Sequence, residues 1–178
     1  TETDGTTGIA NVCVDVFADR CWSGHYRGTR TNSDGTFTIS GIPPDDAVYV
    51  IADGPCATLN YVIQWYGGGT DCNSAQPVTS DATNVDFLLE AAGSISGHVQ
   101  DTLGVPIIDL HIYAQDYDTG EWLAGSNTDG FGDYKLLGLP TGNYRLRTAS
   151  YNTGLQFADE YYDNVYNWDG ASPVSVTA

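Results

Sequence analysis

The sequence predicts an all-β protein built from two tandem β-sandwich repeats, with no significant helix. Three observations support this prediction: a turn-rich composition, an internal repeat, and short segments in which apolar residues alternate with polar ones. The chain has 21 Gly and 12 Tyr among 178 residues, which is typical of a turn-rich β protein. No stretch shows the 3.6-residue periodicity of an amphipathic helix.

The internal repeat has a spacing of 96 to 98 residues and is clearest at two Gly-apolar-Pro motifs, Gly41-Ile42-Pro43 and Gly138-Leu139-Pro140. Matched segments in the same order along a chain indicate two copies of one structural unit. The other matched segments are 8–17 with 106–115, 31–40 with 128–137, 48–52 with 144–148, 65–66 with 161–162, and 76–78 with 172–174.

Each repeat reads as short strands in which every second residue is apolar. Val12, Val14 and Val16 are predicted to share one face of a strand. The other faces predicted in this way are Phe37 with Ile39, Tyr134 with Leu136, and Tyr144 with Leu146 and Thr148, opposite Arg145 and Arg147. Strands broken by Gly, Pro and Asp turns every 8–12 residues predict a sandwich or barrel.

We therefore expect two domains, 1–91 and 92–178, meeting at Ala91-Ala92 so closely that the pair behaves as a stiff rod. The second repeat opens with GSISGHVQD (93–101), a predicted first strand that has no counterpart in the first repeat. The first repeat closes with NVDFLLE (84–90), a predicted last strand that has no counterpart in the second. Each domain is thus expected to expose an unpaired edge, either because the chain is cut from a longer array or because neighbouring subunits complete it.

The order of motifs resembles a known family. GSISG at 93, TDG at 128, GLPTGNY at 138 and EYYD at 160 follow each other as in the carboxypeptidase regulatory-like domains. These are transthyretin-like β-sandwiches related to the Cna-B-type repeats of secreted and surface proteins. The resemblance runs from Gly93 to Ala178 in the second repeat and from about Asp4 to Glu90 in the first. It implies about seven strands per domain and a non-catalytic spacer, adhesive or carbohydrate-associated role.

Four cysteines, Cys13, Cys21, Cys56 and Cys72, lie in the first repeat. Their even number, without a Cys-x-x-Cys pair, predicts two disulfides rather than zinc, and hence an oxidising, extracellular location. We expect Cys13–Cys21 and Cys56–Cys72, because each closes a local loop, although the sequence permits three pairings. Cna-B-type modules often carry a Lys–Asn isopeptide bond, but Lys135 is the sole lysine and does not lie in a first strand.

The charge of the chain excludes some partners. The formal net charge is −17, from 23 acidic and 6 basic residues. Phosphate recognition needs basic patches, so nucleic acid and anionic membranes are not expected as partners. No apolar run is long enough to insert into a membrane. The expected partners are copies of the chain itself or neighbouring repeats, and polysaccharide in the alternative described below.

The sequence carries no recognisable catalytic pattern, and we predict that the chain is not an enzyme. It has no HExxH, no GxSxG elbow and no phosphate-binding loop of the GxxxxGK[ST] type. His98 and His111 fall on strands predicted to be adjacent, where they are expected to be surface or packing residues. No cofactor is expected to be required.

Two acidic clusters suggest a structural cation. The first is QDYDTGEW (115–122), and the second, which we favour, is ADEYYDNVYNWDG (158–170). Calcium takes six to eight oxygen ligands, which Asp- and Asn-rich loops supply, although neither cluster has the EF-hand pattern. Solvated acidic loops are the alternative interpretation. The candidate ligands are Asp116, Asp118, Asp159, Glu160, Asp163 and Asp169.

These features favour a structural or adhesive repeat of an extracellular or cell-surface assembly, a stalk or a filament, that assembles by inter-chain strand addition. The alternative is a carbohydrate-binding module, because aromatic rings stack on sugars and acidic side chains accept their hydroxyls. Trp122, Trp168 and Tyr166 are the candidate sugar contacts. The repetition of Trp65 at Tyr161 instead indicates packing.

Overall fold

The computed structural model describes residues 1–2, 5–44 and 46–178, and it splits into two compact units, Thr1–Ala91 and Ala92–Ala178. Asp4, where the family resemblance of the first repeat begins, lies outside the described residues. The helical segments of the described residues are 3₁₀ turns of three residues each. The prediction of an all-β fold without significant helix is therefore confirmed.

Unit 1 contains five strands in one antiparallel sheet. The strands are β1 (Cys13–Phe17), β2 (His25–Arg30), β3 (Ala47–Asp53), β4 (Gln64–Trp65) and β5 (Val78–Thr79). Their order is β2-β1-β3-β4, and β5 pairs with β3 near its start. The long neighbours β1 and β3 form the middle of the sheet.

Both faces of the central strands of unit 1 are buried. Val14 and Val16 point to one face and pack into the main core, as their alternation predicts. Phe17 and Ile51 point to the other face, where they pack with Trp65 in a second cluster. The sheet of unit 1 is therefore covered on both sides, on the second side by the segment that follows β3.

Two segments predicted as strands in unit 1 are not paired as strands. Residues 36–40 keep the expected alternation, since Phe37 and Ile39 pack against the core, but form no ladder with any described strand. Residues 84–90 likewise bury Phe87 and Leu89, and their one bridge to another described residue is the isolated parallel bridge between Leu89 and Glu2. The apolar pattern was sufficient to bring alternate side chains to the core but not to pair these segments in a ladder with a described strand.

Unit 2 is a sandwich of a four-stranded sheet and a two-stranded sheet. The strands are β6 (Gly93–His98), β7 (His111–Asp116), β8 (Trp122–Asn127), β9 (Asp133–Leu139), β10 (Gly142–Ala149) and β11 (Val174–Val176). The large sheet has the order β11-β10-β7-β8, and β6 pairs with β9 in the small one. Ile95 of β6 and Leu136 of β9 pack with Ile112 and Leu146 of the large sheet in a common core.

The expected disulfide pairing is wrong. The bonds are Cys13–Cys56 and Cys21–Cys72, with Cα atoms 6.2 and 5.0 Å apart. Cys13 lies opposite Asp53 in the β1–β3 ladder, and the 3₁₀ turn Pro55–Ala57 then brings Cys56 back beside it. Sheet register, rather than proximity along the chain, decides which thiols meet.

Candidate functional site

The first acidic cluster forms a turn. The carboxylate of Asp116, at the end of β7, accepts hydrogen bonds from the Thr119 amide (2.7 Å), the Thr119 hydroxyl (2.8 Å) and the Asp118 amide (3.0 Å). These donors, those of Thr119 first, lower the pKa of Asp116 below its usual value. The charge of Asp116 thus stabilises the loop between β7 and β8.

The second acidic cluster is spread out. Asp159 accepts a hydrogen bond from the Ser150 amide (2.6 Å), and Asp163 accepts one from the Ser172 hydroxyl (3.1 Å). Asp169 is the second residue of the 3₁₀ turn Trp168–Gly170. Within the described part of the chain, no three His, Cys, Asp or Glu side chains are grouped to hold a metal ion. Calcium binding at these residues stays a prediction.

The two histidines of unit 2 are not on adjacent strands, contrary to expectation. Strand β6 pairs with β9, whereas β7 belongs to the large sheet. His98 therefore contacts Asp133 through Nδ1 at 2.8 Å, and His111 contacts Asn127 at 2.7 Å. Each histidine has a separate partner across its own ladder.

Trp168 packs in a cation–π sandwich that the sequence did not reveal. The guanidinium of Arg145 lies 3.7 Å from the ring centroid of Tyr117 and 4.1 Å from that of Trp168. Arg145 is only 7% exposed, and its Nε and Nη1 have no hydrogen-bond partner among the described residues. We call Tyr117, Arg145 and Trp168 the arginine clamp. It ties the loop after β7 to the segment that precedes β11.

In unit 1 a disulfide bond takes the position that the arginine clamp has in unit 2. Cys72 and Trp168 occupy equivalent positions, because each is the first residue of a 3₁₀ turn capped by the preceding side chain, Asp71 or Asn167. Cys72 is bonded to Cys21 in the loop after β1. The disulfide in unit 1 and the arginine clamp in unit 2 thus hold equivalent loops over the sheet.

The other candidate sugar contacts are exposed but separate. Trp122 is 57% exposed and lies beside Gly125, where an added Cβ would be 3.3 Å from its ring and 2.8 Å from Nε2 of His111. Tyr166 is 69% exposed and lines a cleft in the same unit. In the described residues no ring contact joins Trp122, Trp168 and Tyr166. Carbohydrate binding stays a prediction.

An open groove crosses unit 1 between the two extended segments that form no ladder with a described strand. It has a volume of about 520 Å³ and is walled by Thr36–Ile39 on one side and Thr83–Asp86 on the other. Val16, Val48 and Val50 form its apolar floor. Within the described residues, the backbone groups of 37–40 and 83–86 make no hydrogen bonds. We call this feature the unit 1 groove.

A second opening, the unit 2 cleft, has a volume of about 660 Å³. It lies between the segment from His98 to Thr102 and the segment from Glu160 to Asn164. Tyr134 and Leu146 line its inner side. Asp101, Glu160 and Asp163 face it together with Arg147 and His98.

Comparison with known proteins leaves the family open. No protein-family model matches the chain, and no curated protein matches it. A solved structure, the Bacillus anthracis TIE protein, aligns with 84% of this chain and 27% of that one, at 13% identity and a TM-score of 0.34. The chain thus spans about a quarter of that structure's length.

No helix among the described residues has the length and apolar character needed to cross a bilayer.

Proposed function

We propose that this chain is a non-catalytic structural or adhesive module of an extracellular or cell-surface assembly, a stalk or a filament, whose copies associate by strand addition. The observation that carries the proposal is the unit 1 groove. Its walls present backbone donors and acceptors over an apolar floor, which is the arrangement that an added β-strand satisfies.

The pairing of β6 with β9 in unit 2 indicates what kind of strand would fit the unit 1 groove. The wall at 36–40 corresponds to β9, because both precede a matched Gly-apolar-Pro motif. In unit 2 strand β6 lies antiparallel to β9 and places Ile95 in the core. A strand with an apolar residue at the Ile95 position therefore fits the unit 1 groove in shape and in hydrogen bonding.

The two disulfides support an extracellular location, because such bonds persist in oxidising compartments. The acidic surface, at a net charge of −17, also supports solubility outside the cell. Neither feature requires a catalytic site, and the proposal assigns none.

The test is the state of association of the purified chain, measured by light scattering and negative-stain microscopy. We expect oligomers or fibres, and we expect Thr38→Pro to reduce them strongly, because Thr38 lies on a wall of the groove and proline removes a backbone donor. Ser33→Pro is the matched control. Ser33 is the second residue of the turn in which the Gly35 amide donates to the Asn32 carbonyl, where proline is favoured.

A chain that stays monomeric at all concentrations would contradict assembly through this groove. Circular dichroism of Thr38→Pro distinguishes lost association from lost folding. Repeating the measurement with a calcium chelator tests the predicted structural cation, since assembly that depends on calcium is lost under chelation.

Carbohydrate binding is the second candidate function, favoured by the exposure of Trp122 and Tyr166. It predicts binding to a polysaccharide array that disappears in Tyr166→Ala, because Tyr166 lines the unit 2 cleft. Tyr151→Ala is the matched control, since Tyr151 is 65% exposed and does not line the unit 2 cleft. The absence of binding to every polysaccharide on the array removes this candidate.

A further inference from the structure

The space that is open in the unit 2 cleft is filled in unit 1. Equivalent hydrogen bonds in the two units identify which residues correspond. The Gly5 amide donates to the Glu2 carbonyl (2.9 Å), as the Gly104 amide donates to the Asp101 carbonyl (3.0 Å). Both glycines have positive φ, 69° and 80°. Glu2 therefore corresponds to Asp101, and Thr1 corresponds to Gln100.

In unit 1 the corresponding space is occupied by residues 84–90. The Thr1 backbone nitrogen donates to the Phe87 carbonyl (2.8 Å), and the Leu89 amide donates to the Thr1 carbonyl (2.9 Å). The Val62 amide donates to the Glu90 carbonyl (2.9 Å). The segment thus lies between the start of the unit and the stretch that precedes β4.

Phe87 anchors this segment between two aromatic rings. Its ring centroid lies 6.3 Å from that of Phe37 and 6.2 Å from that of Tyr66. Phe87 is 7% exposed and Leu89 is 3% exposed, whereas Leu88 between them is 51% exposed. One aromatic and one aliphatic side chain, two positions apart, therefore fill the core on this side of unit 1.

In unit 2 the equivalent rings face an open cleft. Tyr134 corresponds to Phe37 and Tyr162 corresponds to Tyr66, and both line the cleft. Tyr162 is 53% exposed. The backbone of Gln100, which corresponds to Thr1, makes no hydrogen bond within the described residues, although its neighbours Val99 and Asp101 do. The cleft thus presents the ring walls and the free backbone edge that residues 84–90 use in unit 1.

We propose that the unit 2 cleft binds an extended peptide strand, parallel to β6, with an aromatic residue between Tyr134 and Tyr162 and an aliphatic residue two positions later. The peptide is neutral or basic. Asp101, Glu160 and Asp163 face the cleft against Arg147 and His98, so an acidic strand is repelled.

This charge preference argues against a second copy of the chain as the source of the bound strand. Residues 84–90 carry Asp86 and Glu90, and their Phe87 and Leu89 are already buried in unit 1. A second copy would have to unfold part of unit 1 and bring two carboxylates to an acidic cleft. The inference rests on the proposed function for its use in assembly, but the geometry of the cleft supports it separately.

The experiment uses the full chain and a capped, labelled peptide of residues 84–91 in which Asp86 and Glu90 are changed to Asn and Gln, with the sequence NVNFLLQA. Binding is measured by fluorescence anisotropy and located by NMR shifts of Gln100 and Tyr134. We expect saturable binding. Because burying a Phe side chain is worth about 1.5–3 kcal/mol, changing Phe87 to Ser in the peptide should weaken binding by at least about tenfold.

Changing Leu88 to Ser in the peptide is the matched control and should leave the affinity unchanged, because Leu88 points outward. In the chain, Tyr162→Ala should weaken binding by at least about tenfold, whereas Tyr151→Ala, which alters an exposed ring outside the cleft, should not. The unmodified acidic peptide should bind more weakly, and added salt should reduce the difference.

The inference is overturned if the peptide does not bind at millimolar concentration, if Leu88→Ser is as damaging as Phe87→Ser, or if Tyr162→Ala has no effect. It is also overturned if a soluble oligosaccharide, and not the peptide, shifts Gln100 and Tyr134. Peptide binding by a chain that stays monomeric would contradict the assembly proposal alone. Oligomers without peptide binding would contradict this inference alone.

Discussion

Removing the cation of the arginine clamp should destabilise unit 2. Arg145 makes two close contacts with aromatic faces, at 3.7 and 4.1 Å, and is 7% exposed. A desolvated cation–π contact contributes about 2 kcal/mol, so two contribute about 4 kcal/mol. The unpaired Nε and Nη1 belong to the same guanidinium, which, counted as one unsatisfied buried group, opposes this with a desolvation cost of about 1–3 kcal/mol. The net contribution of the charge is therefore about 1–3 kcal/mol in favour of folding.

Arg145→Met is the informative change, because methionine keeps much of the apolar volume and removes the charge. Lys135→Met is the matched control, since it makes the same change of charge at an exposed position of the same unit. We expect Arg145→Met to lower the free energy of unfolding of unit 2 by about 1–3 kcal/mol, and Lys135→Met to change it by less than about 0.5 kcal/mol.

The assay is hydrogen exchange followed by mass spectrometry across a urea series, read on peptides that cover β10 and the segment 167–171. Peptide resolution is needed because a chain of two units is not expected to unfold in a single two-state step. If Arg145→Met is as stable as the wild-type chain or more stable, the buried charge is a net cost, and the reasoning from cation–π geometry is refuted.

Two further predictions concern stability. The disulfides Cys13–Cys56 and Cys21–Cys72 close loops of 43 and 51 residues, so each should contribute about 4 kcal/mol to the stability of unit 1 by the chain-entropy relation. Reduction should lower the urea midpoint of unit 1 and leave that of unit 2 unchanged. Non-reducing peptide mapping that finds Cys13–Cys21 would contradict the pairing. Asp116 has a pKa that is lower in the folded than in the unfolded chain, so its stabilisation is present above the unfolded value and is lost as pH falls through the folded pKa. Asp116→Asn should therefore destabilise unit 2 near neutral pH, and its difference from wild type in free energy of unfolding should shrink in acid. Asp118→Asn, the control at an exposed position, should have little effect at any pH. A destabilisation by Asp116→Asn that is independent of pH would contradict this prediction.

Local pattern predicted much of the fold. The alternation of Val12, Val14 and Val16 placed all three in the core, and the predicted Phe37–Ile39 face does pack against it. These positions follow from the sequence because side chains alternate along an extended backbone, so apolar spacing specifies which face is buried. Alternation does not specify a partner, which is why 36–40 and 84–90 bring every second side chain to the core but form no ladder with a described strand.

The contacts that define the candidate sites depend on register and on residues far apart in the chain. Arg145 was predicted only to oppose Leu146, and nothing in the local sequence indicates that Tyr117 and Trp168 enclose it. The cleft is similar, because Tyr134 and Tyr162 become a pair only when β9 and the segment after β10 face each other. His98 and His111 were placed on adjacent strands because the sequence does not show which strands share a sheet.

By itself, the sequence determined the all-β class, the repeated motifs and the presence of four cysteines without metal-ligand spacing, because each depends on local composition and periodicity. Only the tertiary structure decided that Cys13 meets Cys56, that an arginine clamp takes the place of the second disulfide in unit 2, and that a groove and a cleft remain open. The physical reason is that these features arise from pairing between strands, whose register is set by packing over the whole unit and not by any one segment.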